Sequence, residues 1–503
     1  MGDNENRKVY KARQVKNYRE MVEYSCKNYA QNIAYKYKKD YTAKNVEYIE
    51  KTYEQVGKDI KAFGTGLLNL DLMGERIVVV GKNRYEWCIS YLATTCSNMV
   101  IVPIDKALPD IEMQRLIERS EAKAIIFDEK YLETIKKVQE KENSNLKTLI
   151  CMDNIQEKGI KTFNEILEEG RNQIKNGDQK YDNIEIDENK MSIMLFTSGT
   201  TNEPKAVMLS QANICANISN IACWVKLYPT DVLLSFLPIH HTFECTITFL
   251  YGFYSGSQVA FCDGLKHIQQ NLKEYKVSVF VAVPLVLETM YKKIQKAIEE
   301  QGKTGLIKKM TKISNTLLKA KIDIRKIVFK QILDNFGGHL RVVLYGAAPM
   351  NKATIIGYNN LGISLVQGYG LTETSPVVTA ETDKEKRPGS IGLALANLNL
   401  KIANPDNEGV GEITVKGPSV MLGYYKNPEE TKKVLKDGWF STGDYGYKDK
   451  DGFVYITGRK KDIIVLKNGK NVYPQEIEFL INKIPYIACL LYTSDAADDL
   501  IGV

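Results

Sequence analysis

Short apolar runs recur along the chain with helical patterns between them. In the first third they are Arg76–Gly81, Met99–Pro103, Ala122–Phe127 and Lys147–Cys151. Each is too short for a buried helix and rich in Val and Ile, so each reads as a buried strand. A helix begins near Tyr85 and another spans Ile111 to Arg119. Ile60, Phe63, Leu67 and Leu68 recur at helical spacing, and residues 40–70 are predicted helical. The alternation resumes after polar stretches at 137–146 and 172–190, which read as loops. Further strands are Met191–Phe196, Asp231–Leu237, Ser278–Val283, Leu340–Tyr345 and Ser364–Gln367. Strands alternating with helices predict an α/β fold, with parallel-type sheets flanked by helices. From about residue 398 short strands and Gly-rich turns predict a small β-rich subdomain, and the texture changes again after Gly458. At 503 residues two or more domains are expected.

The stretch Phe196-Thr-Ser-Gly-Thr-Thr-Asn-Glu-Pro-Lys-Ala-Val207 lies between two apolar runs. It gathers Thr197, Ser198, Thr200 and Thr201 around Gly199, followed by Pro204 and Lys205. Backbone N–H groups, short hydroxyls and a cation are what a phosphate needs. The spacing is not that of the ATPase P-loop. A plain polar turn is the bland alternative. Ser210 is placed to cap the helix that follows.

The net charge of +7 is concentrated. Between Thr289 and Lys330 eleven Lys and one Arg face Glu299, Glu300 and Asp323, an excess of +9 that leaves the rest of the chain slightly acidic. No nucleic-acid motif accompanies the patch. Leu306, Ile307, Met310, Ile313, Leu317 and Leu318 recur there at helical spacing with Lys between them. That suits a helix on an anionic membrane, and equally a solvated helix packed on its domain. The nine Cys contain no C-x-x-C pair, so reduced thiols and a cytoplasmic location are expected, peripheral at the membrane inner face if the basic helix binds there. The N-terminus has no signal-peptide core, and Asn6 stands where myristoylation wants Ser or Thr. Val232–Cys262 is broken by Pro238, His240, His241 and Glu244, so no membrane span is expected.

Three more stretches carry chemistry. Gln367-Gly-Tyr-Gly-Leu-Thr-Glu-Thr-Ser-Pro376 offers a ring, a turn, hydroxyls and a carboxylate. Ser441-Thr-Gly-Asp444 places a carboxylate on a turn, and Gly458-Arg-Lys-Lys-Asp begins a basic turn and strand. In this order, over roughly residues 40–490, the four stretches resemble the adenylate-forming superfamily of acyl-CoA synthetases, peptide-synthetase adenylation domains and firefly luciferase. Pro238-x-x-His241-x-x-Glu244 and Asn83-Arg-Tyr-Glu-Trp87 look most like long-chain fatty acyl-CoA synthetases.

The resemblance implies a carboxylate attacking the α-phosphorus of Mg-ATP, then a thiol displacing AMP from the acyl-adenylate. It implies that Thr197, Ser198, Gly199, Thr200, Thr201 and Lys205 hold the β- and γ-phosphates. Tyr369 would stack on adenine, with Gly346, Ala347, Ala348 and Gly370 along the pocket, and Thr372 would meet the α-phosphate region. Glu373 would bind Mg²⁺. Asp444 would accept the ribose hydroxyls, supported by Arg459, and Lys461 would be the hinge of a rotating C-terminal domain. His241 would lie near the acyl carboxylate and the phosphates, with His240 second in line; a core histidine is the alternative. Ile247, Phe249, Leu250, Tyr251 and Phe253 suit an acyl tunnel or an ordinary buried helix, and Trp224 a gate or core. Asn202 and Ala206 stand where the family mostly has Gly. Asn tolerates positive φ; Ala206 would be strained if its backbone were left-handed.

The implied domains are an N-terminal one over 1–458, β-rich over about 398–458, and a small α+β one over 459–503. The family carries a late catalytic Lys, and no residue here matches it. The tail after about Cys489 departs from the family pattern, and a truncated or frameshifted end is expected. The reading is an AMP-forming ligase that joins a medium- or long-chain fatty acid to CoA, with Mg²⁺ and ATP. The alternatives are loading of an acyl carrier protein, or a non-catalytic module that binds nucleotide and fatty acid.

Overall fold

In a computed structural model of the chain, residues 4–197, 203–460, 464–465, 471–472 and 481 are described. The apolar runs form the middles of two large sheets. The first has eight strands, in the order Gly423–Tyr424, Lys205–Ser210, Met191–Thr197, Val100–Pro103, Arg76–Val80, Ala124–Phe127, Thr148–Cys151, Lys161–Thr162. From Met191–Thr197 onward all neighbours are parallel. Lys205–Ser210 returns antiparallel along Met191–Thr197, so the hydroxyl-rich stretch is the turn of a hairpin.

The second sheet has nine strands. Its middle is parallel, from Ser364–Gly370 through Val342–Tyr345, Val279–Ala282, Val232–Ser235 and Gln258–Phe261 to Ile33–Lys38. Val377–Ala380 and Tyr48–Thr52 pair antiparallel nearer its two ends. Tyr48–Thr52 corrects the expectation of helix from residue 40: Ile49 and Lys51 pair with Tyr37 and Tyr35, and helix begins only at Tyr53. The spacing that pointed to helix belongs to residues 60–68 alone. Helix also runs on to Lys175, past the predicted start of the 172–190 loop. The β-rich subdomain appears as expected, an antiparallel sheet of five strands within residues 399–459.

Helix starts follow from local chemistry. Thr52 with Gln55, Thr162 with Glu165, and Ser210 with Asn213 form reciprocal caps that satisfy the first free N–H groups. One core cluster includes Ile77 and Val79 of the first sheet and Val279 and Val281 of the second, so a shared interior lies between them. There Trp87 stacks on Tyr91, centroids 5.4 Å apart, with Phe249 edge-on to both. No helix among the described residues is long and apolar enough to cross a membrane.

Helices Tyr53–Leu68 and Phe163–Lys175 touch backbone to backbone through Gly66 and Gly170. A Cβ on Gly170 would lie 1.8 Å from the carbonyl oxygen of Ala62. Gly170→Ala must therefore push the helices apart, an overpacking cost of about 1–3 kcal/mol. A lowered thermal midpoint with unchanged circular dichroism is expected; an unchanged midpoint would show that the helices separate freely.

Candidate active site

Parallel strands aim their C-terminal ends at one edge, where open α/β sheets carry their ligand-binding loops. Lys82–Arg84 and Asp105 follow strands of the first sheet. The histidines, Gly346 and the Leu371–Pro376 turn follow strands of the second. Asn83 joins the two edges. Its amide nitrogen donates to Ser235 Oγ at 2.9 Å and to the Leu237 carbonyl at 2.7 Å, and its oxygen accepts from the Ile239 N–H at 3.3 Å. Asn83 is held in turn by its neighbours. Asp128 accepts the Lys82 N–H at 2.7 Å, and Arg84 reaches Glu86, Asp128 and Asp153 at 2.7, 3.0 and 2.7 Å.

The turn that Asn83 fixes carries His240 and His241, with ring centroids 4.1 Å apart. Burial, and then the neighbouring His241, push the His240 pKa down to about 4; burial also lowers that of His241. Both imidazoles are thus held towards the neutral form. Glu244, fully buried, closes the turn. It accepts from Ser235 Oγ at 2.7 Å and from Thr248 Oγ1 at 2.8 Å. Burial raises its carboxyl to about 8, the hydrogen bonds offsetting only part of that. Ile247, Phe249 and Leu250 continue from it in a wide, π-type helical turn, Glu244–Leu250, and are buried. Trp224, at the end of helix Gln211–Trp224, is also fully buried.

Strand Ser364–Gly370 changes partners midway, pairing parallel with Val342–Tyr345 and then antiparallel with Val377–Ala380. The return turn is tight: a Cβ on Gly370 would lie 1.8 Å from the Pro376 carbonyl oxygen. Thr374 braces it from inside, its hydroxyl donating to the Pro376 carbonyl at 2.6 Å. Thr372 and Glu373 are presented on this turn. Glu373 Oε1 accepts from the Tyr424 hydroxyl at 2.9 Å, and Tyr424 pairs with Val207 on the hairpin that carries Lys205. Lys205 Nζ sits 5.1 Å from the centre of the Tyr424 ring and 2.7 Å from Glu430 Oε2. Lys205 and Lys433 hold the Glu430 carboxyl down at about 2.

Tyr369 donates its hydroxyl to Asp444 Oδ2 at 2.5 Å, and Arg459 Nε lies 2.9 Å from Asp444 Oδ1. Asp444 and Arg459 are cross-strand partners, which fixes the ion pair. Burial still raises the Asp444 carboxyl, Arg459 opposing it, and burial together with the Asp444 charge raises the Tyr369 phenol. Gly346 packs against the next strand, where a Cβ would lie 2.6 Å from the Gly368 carbonyl oxygen. Ala347 has a φ of 70°, unusual for a residue with a side chain. Ala347 and Ala348 are exposed beside it.

The structure thus brings Lys205, Glu373 and, through the Tyr369 strand, Asp444 and Arg459 into connected groups. Thr197 ends its strand at the mouth of the hairpin. Ser198, Gly199, Thr200, Thr201 and Asn202, and Lys461, expected as a hinge, lie outside the described residues. Ala206 is extended, paired with Phe196, and carries no left-handed strain. Sequence reasoning missed Tyr424, Glu430 and Asp105. Asn427-Pro-Glu-Glu430 does read as a helix start, with Asn427 as cap, but nothing local signals its pairing with Lys205.

A family model described as AMP-binding enzyme matches residues 22–425. Long-chain-fatty-acid–CoA ligase 6 of Mus musculus is 31% identical over 461 residues, a match covering 85% of this chain. The chain spans 65% of the length of that relative. Long-chain-fatty-acid–CoA ligase FadD15 of Mycobacterium bovis is 29% identical over 461 residues, covering 88% of this chain and 75% of its own. Among solved structures, ATP-bound MatB from Rhodopseudomonas palustris has a TM-score of 0.71 at 23% identity, covering 93% of this chain and 84% of that one. A Mycobacterium tuberculosis fatty acyl CoA synthetase has a TM-score of 0.68 at 22% identity, covering 94% and 84%. Both share the fold of this chain.

Glu244 has a sign-determined effect on stability. Unfolded, it ionises near 4.5; folded, it keeps its proton to about 8. Between those values the unfolded state binds fewer protons, so stability falls as pH rises through this window. Glu244→Gln keeps the shape and removes the titration. Its loss of thermal midpoint between pH 5 and pH 8 should be smaller than that of the unsubstituted protein; equal losses would show that Glu244 is not buried as described.

Proposed function

The chain belongs to the AMP-binding enzyme family, and on that premise we propose that it is an AMP-forming ligase joining a medium- or long-chain fatty acid to CoA through an acyl-adenylate. The observation that carries the reading is the link from Lys205 through Tyr424 to Glu373, which binds the hydroxyl-rich hairpin to the carboxylate turn. The names of the relatives, long-chain-fatty-acid–CoA ligases, support the acyl class.

Lys205, Thr197 and the Ser198–Thr201 stretch hold the β- and γ-phosphates. Tyr369, beside Gly346, Ala347, Ala348 and Gly370, takes the adenine, and Asp444 with Arg459 takes the ribose. Thr372 meets the α-phosphate region. The donor set at Glu373 fits Mg²⁺: it is one carboxylate beside a phosphate site, and this ion prefers few carboxylates plus phosphate oxygens and water. Mg²⁺ bound there would neutralise phosphate charge. His241, exposed on its turn, hydrogen-bonds the acyl carboxylate as it approaches the α-phosphorus. Ile247, Phe249 and Leu250 line the acyl path, with Trp224 at its mouth. Catalysis of this kind is positioning and charge stabilisation.

The test is AMP release with CoA and straight-chain carboxylates of graded length. Release that rises towards medium and long chains is expected; none with any carboxylate would overturn the reading. Glu373→Gln should lower Mg²⁺-dependent pyrophosphate release about 10²-fold with the fold intact. Unchanged release at saturating Mg²⁺ would remove Glu373 from the site.

A peripheral membrane contact is part of the same proposal. It is supported by helix Thr304–Lys319, where Leu306 and Ile313 are 53% and 41% exposed among the exposed Lys308, Lys309 and Lys312. Each basic residue near an anionic surface is worth about 1 kcal/mol. Replacing the three Lys by Glu should abolish sedimentation with phosphatidylserine vesicles, and added salt should mimic the change. Binding indifferent to both would leave the helix as solvated surface.

A further inference from the structure

The family resemblance puts His241 first at the acyl carboxylate and His240 only second in line. His240 Nε2 is buried, yet it has no hydrogen-bond partner. A buried polar atom left unpaired needs an explanation. Its nearest acidic neighbour is Asp105 Oδ2 at 3.7 Å, too far for a hydrogen bond. Asp105 comes from the loop after Val100–Pro103 in the first sheet, and the histidines from the turn after Val232–Ser235 in the second. One ligand atom from each of Asp105, His240 and His241 lies within 4.8 Å of the other two. A tetrahedral ion holding N and O ligands at about 2.1 Å sets them about 3.4 Å apart. The Asp105–His240 separation is already close to that, and only a modest side-chain rotation is needed to bring in His241.

We propose that Asp105, His240 and His241 form a binding site for a borderline transition-metal ion of the Zn²⁺ type, and that an ion bound there inhibits the enzyme. Two imidazoles and one carboxylate suit Zn²⁺, Co²⁺ or Ni²⁺ and not Mg²⁺, which prefers oxygen ligands. The site is therefore chemically distinct from the one at Glu373. It has three protein ligands and one open position, with Lys106 next in the chain, so its affinity is below that of a four-ligand structural zinc centre. The ion also ties the loop of one sheet to the turn of the other. Inhibition follows where the ion takes the His241 nitrogen that would otherwise meet the acyl carboxylate; this half of the proposal rests on the ligase reading, and metal binding does not.

The experiment uses the full, untagged chain without nucleotide. Co²⁺ is titrated in and followed by visible absorption, then displaced by Zn²⁺ in competition with a chromophoric chelator. One equivalent is expected, with visible d–d bands and no thiolate charge-transfer band. Asp105→Asn and His240→Gln, each close in shape to the original, should each weaken binding at least tenfold. No binding, a thiolate band, or binding indifferent to both substitutions would overturn the site. AMP release at saturating Mg-ATP is then measured with buffered Zn²⁺. The unsubstituted chain should lose activity as the site fills, and Asp105→Asn should need at least tenfold more Zn²⁺ for the same loss. Stoichiometric binding without loss of activity would overturn the inhibition alone. Absence of activity at every metal concentration would instead count against the ligase reading, since Co²⁺ and Zn²⁺ binding is read without turnover.

Discussion

One amide side chain ties the loop edges of the two large sheets together. Asn83 uses both ends of its group, donating twice and accepting once, on a turn belonging to the other sheet. An amide matches backbone geometry in a way that a charged group would not, and it can be buried at low cost once all its bonds are made. The Arg84 cluster fixes its backbone from the first sheet, and Ser235 with Glu244 fixes its targets in the second. The positions of His240, His241 and Asp105 relative to one another depend on that junction.

The acids of the site fall into two kinds. Glu244 and Asp444 are buried, and burial raises both. Glu244 has only neutral donors and keeps its proton at neutral pH, so it acts as a structural hydrogen-bonding group. Asp444 has a guanidinium and a phenol, donors that favour its charged form against the burial. Glu373, by contrast, is half-exposed on its turn, where it can exchange a tyrosine hydroxyl for another partner. The same functional group thus serves as a brace in one place and an accessible ligand in another, and the dielectric surroundings make the difference.

The fold class was legible because Val- and Ile-rich runs of strand length alternated with helical spacing. The region from residue 40 misled because the strand Tyr48–Thr52 is short, half-exposed and next to a strongly periodic helix. Lys205 could be read from its hydroxyl-rich company, and Tyr369, Glu373 and Asp444 through the family resemblance of the stretches that carry them. Their partners could not. Tyr424 and Glu430 reach Glu373 and Lys205 across 51 and 225 residues, and such pairings leave no trace in local spacing. Asp105 was invisible for the same reason: it is an ordinary loop acid until the second sheet brings the histidines to it.

The pairing of Lys205 with Glu430 changes what ligand entry means. The lysine is never an uncompensated charge waiting for a phosphate, because a carboxylate already answers it at 2.7 Å. With Lys205 as the proposed phosphate ligand, entry would be an exchange of counter-ions: an arriving group must bind better than a carboxylate does, and a monoanion of similar shape gains nothing by replacing one. Phosphate oxygens have that advantage in charge and in the number of bonds they accept. Once displaced, Glu430 still has Lys433 one turn along its own helix. Such a swap would leave neither Lys205 nor Glu430 without a charged partner.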